Sequence, residues 1–309
     1  MRRPRGGRRG RPCAAHHDSG GNQISPTVLG LDIGGSSSRA RLRADGSTRD
    51  VEGPGANLTA LEERVVDERL TQLLSSLGAI HPDACCAGAA GAEVPEARAR
   101  LDAVLRRLLP GSRVCVVHDS RLVLAAAGLD AGIALIAGTG SVAYGRDPGG
   151  REVQRGGWGW VLGDEGSGVW ITREAARLVL ARMDSGYDLG ALGPRLLEAV
   201  GVGDARAMSL ALLERHEPRD WAELASVVFD TAEDDAGSRE IIRRAGTELA
   251  RLVASTGMRG PVVLAGGLLL HRQRLEDVVR ASLPQFECIR LEEQPVEGAV
   301  RLAEEMLTS

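Results

Sequence analysis

The sequence predicts a two-lobed α/β protein, each lobe a mixed sheet with flanking helices. Two observations carry that prediction. Apolar segments ending in glycine turns open a run of three short strands twice, at TVLGLDIGG and again at AGIALIAGTG. After each opening, stretches with helical periodicity alternate with short apolar strands, the pattern of crossover-connected sheets. The repeated layout indicates a duplicated fold, and its period is too long for a solenoid.

In chain order, TVLGLDIGG, RARLRADG and STRDVEG read as strand, turn, strand, Asp-Gly turn and strand, an antiparallel meander. LTALEERVVDERLTQLLSSLG places Leu58, Leu61, Val65, Leu70, Leu73 and Leu74 on or near one helical face. ACCAGAAG is a buried strand, Arg98 to Leu109 an amphipathic helix, and RVCVVHDS a strand that ends at Asp119. The second half repeats the grammar with AGIALIAGTGSVAYGRDPGGREVQRGG as three strands. Helices are predicted at WITREAARLVLARM, DLGALGPRLLEAVG, WAELASVVFDTAE and REIIRRAGTELARLVAST. PVVLAGGLLLH is a buried strand running into Gly266 and Gly267, LEDVVRASL a helix, and QPVEGAVRLAEEML the closing segment.

Composition excludes several function classes. Hydrophobic residues are 43% and charged residues 26% of the 309, ordinary for a globular protein. No run approaches the roughly 18 apolar residues of a membrane span. Five cysteines without a C-x-x-C pair predict reduced thiols in a cytoplasm, not a disulfide framework or a clustered zinc site. All 38 basic residues are arginine, so a P-loop lysine and lysine Schiff-base chemistry are both closed. Any phosphate here must be held by backbone amides, a metal ion or arginine. Residues 1–26 hold six arginines and one aspartate and read as a disordered extension. Without them 32 arginines face 41 acids, a net charge of −9 that disfavours nucleic-acid binding.

Three glycine turns sit at strand ends, where exposed amides can converge on phosphate oxygens. They are Gly34-Gly35-Ser36, Gly138-Thr139-Gly140-Ser141 and Gly266-Gly267. Ser36, Thr139 and Ser141 add hydroxyl donors, and Asp32 stands where a carboxylate could hold magnesium through water. Gly138-x-Gly140-x-x-Ala143 matches a loose dinucleotide fingerprint, but SVAYG after it reads as a hairpin and not as the required helix.

These segments together resemble the sugar kinase, Hsp70 and actin fold, and within it the N-acetylglucosamine kinase and BadF/BadG ATPase group, over about residues 27–308. LGLDIGG and IALIAGTGS resemble its two phosphate loops, VVLAGGLL its adenosine loop, and VVHDSRLVLAAA the segment with its catalytic aspartate. GGWGWVLGDEGSGVWI is the most specific match, to the N-acetylglucosamine kinase branch.

The resemblance implies an actin-like ATPase (ribonuclease H-like) fold using ATP and magnesium. It implies Asp119 as general base toward a sugar hydroxyl, and Asn57, Gly157, Trp158 and Asp164 as sugar contacts. Ser36 and Thr139 would touch the ATP phosphates, Ala222 would lie near the nucleotide, and Gly266 and Gly267 would flank the adenosine. The expected lobes are 27–120 and 121–294, closing over the sugar, with 295–309 returning to the first. The chain departs from the family pattern after its first glycines, where Ser36-Ser37 replaces a threonine and a basic residue.

Blander roles compete at several positions. Asp119 could cap a helix. Trp158 and Trp160 alternate at strand spacing, one toward ligand and one toward the core. Glu165 could cap the following helix, and Trp170 and Trp221 read as core. His118 and Asp119, as strand neighbours, are expected on opposite faces and not as a dyad. Cys85 and Cys86 read as buried small residues.

The leading expectation is a kinase for the 6-hydroxyl of N-acetylglucosamine. Alternatives are a kinase of glucosamine or of an N-acetylmuramic-type sugar, a BadF-like activator ATPase, and a non-catalytic sugar sensor. The activator class holds an iron–sulfur cluster through cysteines, and no cysteine here follows the glycine loops in a suitable context. Expected partners are small molecules, without nucleic acid or membrane, and a homodimer is left open.

Overall fold

In the computed structural model the described residues are 26–308, Ser36 and Ala60 excepted. The arginine-rich extension and Ser36 therefore lie outside the described residues.

The first three strands, β1 (Val28–Ile33), β2 (Ser37–Ala44) and β3 (Ser47–Pro54), form the expected meander. The turn from β2 to β3 is Asp45-Gly46, with φ of 49° and 73°. Two consecutive positive φ values are what a tight two-residue hairpin requires, and Asp-Gly supplies them at low cost. Helix α1 (Glu63–Ser75), β4 (Ala84–Ala89), α2 (Pro95–Leu108), β5 (Arg113–His118) and α3 (Asp119–Ala126) follow. The strands assemble in the order β3-β2-β1-β4-β5.

The second lobe begins with β6 (Gly132–Ala137), β7 (Ser141–Arg146) and β8 (Glu152–Gly156). Helices α4 (Gly168–Asp184), α5 (Leu192–Val200), α6 (Ala205–Leu213), α7 (Pro218–Glu223), α8 (Ala225–Asp230) and α9 (Ala236–Ser255) come next. The chain finishes with β9 (Val262–Ala265), α10 (Gly267–His271), α11 (Gln273–Ser282), β10 (Cys288–Arg290) and α12 (Pro295–Thr308). Read from its far edge, the second sheet runs β8-β7-β6-β9-β10. That is the first sheet's order again, with two antiparallel pairs and then two parallel ones. The duplication predicted from the glycine turns is thus a duplication of topology.

Some expected elements differ. The helix read from Leu58 starts at Glu63, because Asn57 turns the chain first: its Oδ1 accepts the Thr59 amide and hydroxyl, both at 2.9 Å. The helix read over WAELASVVFDTAE is two short helices, α7 and α8, and both α6 and β10 are additional to the expected elements. Trp158 and Trp160 lie in turns beyond β8, not in a strand. Positive φ at Gly156, Gly157 and Gly159 (73°, 71° and 84°) breaks the extended path that their spacing suggested.

Each sheet has its own core. Leu29, Leu31, Leu70, Leu101 and Leu105 pack where α1 and α2 cover one face of the first sheet. A larger cluster including Ile133, Leu135, Ile171 and Leu249 joins the second sheet to α4 and α9. The other face of the first sheet receives α12, which also lies along α3. That packing is nearly backbone to backbone. A Cβ on Gly30 would come within 2.7 Å of the Val300 amide, and one on Gly298 within 2.0 Å of the Leu122 carbonyl. Across the same contact Arg41 and Arg43 hold Glu297 at 3.0 and 2.8 Å. Arg301 donates to the Ala125 and Ala126 carbonyls that end α3.

Candidate active site

The parallel strands β1, β4 and β5 bring their carboxyl ends to one edge of the first sheet, the usual place for ligands in open α/β sheets. β1 places Asp32 there and β5 delivers His118 and Asp119. Burial pushes the Asp32 carboxyl up to about 6, reinforced by the negative charge of Asp119. Asp32, whose proton affinity the neighbouring Asp119 raises, forms with it a donor set suited to a hard cation. Among the described residues no group of three or more such side chains could hold a metal alone. Magnesium takes one or two carboxylates beside phosphate and water, and this edge offers two.

Asp119 is the first residue of α3, and the helix N-cap is His118. The expectation that His118 and Asp119 face apart is therefore corrected. β5 ends at His118, strand alternation no longer applies, and His118 Nδ1 lies 3.0 Å from Asp119 Oδ1. Burial raises the Asp119 carboxyl, but the His118 contact and the Ser120 amide at 2.6 Å outweigh it and hold it below its usual range. Burial lowers the His118 imidazole, and Asp119, with Glu93 3.6 Å from Nε2, more than reverses that. The His118 ring also stacks on Tyr144 of β7, centroids 5.5 Å apart and planes 6° from parallel, so it touches both lobes.

The second glycine loop is a tied structure. Gly138 donates to Gly140 at 2.9 Å, and Gly168, at the start of α4, donates to Gly138 at 2.9 Å. Ser141, expected as a phosphate ligand, is buried and its hydroxyl donates to the Glu165 carbonyl at 2.8 Å. Asp164 is 7% exposed, with φ of 57°. Burial raises its carboxyl, while the Ser141 and Gly159 amides that donate to it work the other way. A Cβ on Gly140 would stand 2.6 Å from its Oδ2. Asp164 thus fastens the Trp158 loop to the phosphate loop. A left-handed aspartate is uncommon and belongs to over-determined local structure. The N-cap of α4 is Ser167, not Glu165.

A cavity of about 480 Å³ gathers Gly138, Thr139, Ala222 and Gly267 with Arg219 and Arg272. Four residues expected at the nucleotide therefore share one hollow. Gly266 stands behind it, where a Cβ would meet the Ala137 carbonyl at 2.3 Å. The two arginines went unnoticed in the sequence, although a chain without lysine has only arginine to meet phosphate charge. In the other lobe, Gly34 donates to Ser37 at 3.0 Å and closes the first loop. Asn57 lies beside it, Nδ2 4.0 Å from a Cβ built on Gly35. Gly157 and Trp158 project from the second lobe, Trp158 75% exposed. Trp170 is core, and Trp221 is partly buried against Trp160. Cys85 and Cys86 are buried as expected.

Two sheets of one topology, with carboxylates at the edge of one and tied glycine loops on the other, define a two-lobed ATPase of the sugar kinase and actin-like class. Within that class the chain belongs to the BadF/BadG/BcrA/BcrD ATPase family, whose sequence profile matches residues 29–303. It is 28% identical over 303 residues to an N-acetylmuramic acid/N-acetylglucosamine kinase of Clostridium acetobutylicum, covering 89% of this chain and 97% of that one. It is 26% identical over 237 residues to an N-acetyl-D-glucosamine kinase of Dictyostelium discoideum, covering 71% and 74%. A solved structure of a candidate N-acetylglucosamine kinase from Chromobacterium violaceum aligns with a TM-score of 0.74 at 27% identity, covering 90% of this chain and 99% of that one.

Proposed function

We propose that this chain is an ATP-dependent amino-sugar kinase that transfers the γ-phosphate to the 6-hydroxyl of N-acetylglucosamine. The observation that carries the reading is Asp119, ionised, anchored by His118 and set beside Asp32 at the strand ends. A carboxylate placed to take the hydroxyl proton contributes about 10²–10⁴ in rate. The named relatives act on amino sugars, and the Trp158 loop, with apolar faces for the CH groups of a sugar ring, supports the same class.

In this reading Asp119 accepts the proton and His118 holds its carboxylate in place. Asn57, Gly157 and Trp158 orient the sugar, and Asp164 acts on it by fixing the loop that carries Trp158. Gly34, Gly35, Ser36, Gly138, Thr139 and Gly140 meet the phosphates, with Ser141 as the brace of the second loop. Ala222, Gly266 and Gly267 border the adenosine. Magnesium, held through Asp32, would neutralise phosphate charge when bound. We further propose that lobes 27–120 and 121–294, with 295–309 returning to the first, close over the sugar and exclude water.

ADP release with ATP and magnesium tests this, comparing N-acetylglucosamine, glucosamine, N-acetylmannosamine, N-acetylmuramic acid, glucose and no sugar. Stimulation by an amino sugar supports the kinase. Release indifferent to every sugar overturns it in favour of an activator-type ATPase.

A further inference from the structure

Beside the proposed base, His118 walls a further cavity. A cavity of about 230 Å³ is lined by Glu93, Arg98, His118, Tyr144 and Gln154, among others. A neighbouring hollow of about 440 Å³ shares Glu93 and Arg98 and runs along α2 to Asp102. His118 belongs to both cavity and site, since the ring that walls the cavity lies 3.0 Å from Asp119. In the kinase reading, a sugar whose reacting hydroxyl faces Asp119 has this cavity beside it.

The charges around that space are unequally committed. Asp102 receives two bonds from Arg106, at 2.6 and 3.1 Å. Glu93 faces His118 at 3.6 Å, and Glu152 faces Arg146 at 3.8 Å. Arg98 donates through Nε to the Ala92 carbonyl at 2.9 Å, and that bond fixes the plane of its guanidinium. Its two terminal nitrogens pair with no carboxylate among the described residues, while the side chain is half-buried and lines both hollows. A guanidinium anchored at one edge, with its remaining donors turned to a cavity, matches the geometry of a ligand carboxylate.

We infer that Arg98 is a specificity-determining residue that gives added affinity to amino sugars carrying a carboxylate, alongside neutral N-acetylglucosamine. The inference deepens the kinase reading and rests on it for the pose of the sugar. N-acetylmuramic acid is the acidic probe and N-acetylglucosamine its neutral counterpart. Calorimetric titration of each sugar into the full chain and into Arg98→Gln measures affinity without turnover.

The expected result is binding of the acidic sugar by the unmodified chain. In the variant the acid-to-neutral affinity ratio falls about tenfold or more, the size of a lost charge-assisted bond. Arg98→Lys recovers part of the ratio and also serves if the glutamine variant fails to fold. An unchanged ratio overturns the inference, and so does equal weakening for both sugars. Binding of the neutral sugar alone, or of neither, overturns it as well. An Arg98-dependent ratio without phosphorylation of either sugar removes the kinase reading and leaves the carboxylate recognition standing.

Discussion

The two lobes share one strand order but hold their ligand-facing loops differently. In the first, the glycine loop after β1 is held, among the described residues, through backbone bonds: Gly34 donates to Ser37 at 3.0 Å and accepts from the Ala56 amide at 3.1 Å. In the second, Asp164, Ser141 and the start of α4 clamp the corresponding loop from behind. The two carboxylates at the strand ends, Asp32 and Asp119, both belong to the first lobe. Duplication therefore supplied two equal frames; in the proposed reading the first carries the chemistry and the second presents backbone amides.

The largest expected effect tests the chemical lobe. Asp119→Asn should lower turnover by about two to four decades and leave sugar binding nearly intact. Steady-state kinetics beside calorimetry measures both, and turnover within about threefold of the unmodified enzyme would remove Asp119 from its role. Stability of the same lobe leans on Glu297, which is 8% exposed and paired with Arg41 and Arg43. Glu297→Ala removes one partner from each arginine, leaving Arg41 on Asp50 and Arg43 on Glu304, and should cost about 1–2 kcal/mol in denaturant unfolding; a loss below about 0.5 kcal/mol would show the α12 contact to be mainly apolar.

The third prediction concerns the presenting lobe. Asp164→Ala frees the Ser141 and Gly159 amides and should weaken sugar affinity about tenfold, the cost of one buried group left unpaired. Unchanged affinity refutes its place in sugar recognition.

The last prediction is a pH dependence in the same lobe. Burial raises the Asp235 carboxyl, but Arg182 at 2.8 Å and the backbone amides of Ser238 and Leu192 bring it down to about 2. A depressed folded value means the contribution is present above the ordinary aspartate value of 3.8 and is lost as pH falls toward 2. About 2 kcal/mol should disappear across that window. Asp235→Asn should flatten this acid limb in melting curves taken against pH, and an unaltered limb would place the acid sensitivity elsewhere.

The strands and the glycine turns were legible because period-two patterning and glycine act locally. Helix α6 had its signal too, since Asp204 caps it by accepting the Arg206 and Ala207 amides at 2.8 and 2.9 Å. The Trp158 stretch misled because alternating residues imitate a strand whether or not the intervening glycines have positive φ. The His118–Asp119 contact depended on the residue at which β5 yields to α3, and single-residue boundaries are what periodicity resolves least. Arg98 sat in plain view on a predicted helix. Its uncommitted donors became visible only when Arg106 was seen to occupy Asp102.

Helix α12 lies against β1, among the first residues of the fold. During synthesis the face of β1 and β4 that it covers, with Val28, Ala84 and Cys86, therefore stays bare until the segment from Pro295 has left the ribosome. The lobe whose strands are made earliest is the one completed last. A nascent chain arrested after β10 would carry a finished second sheet beside an unsealed first one, with an apolar face open to chaperones.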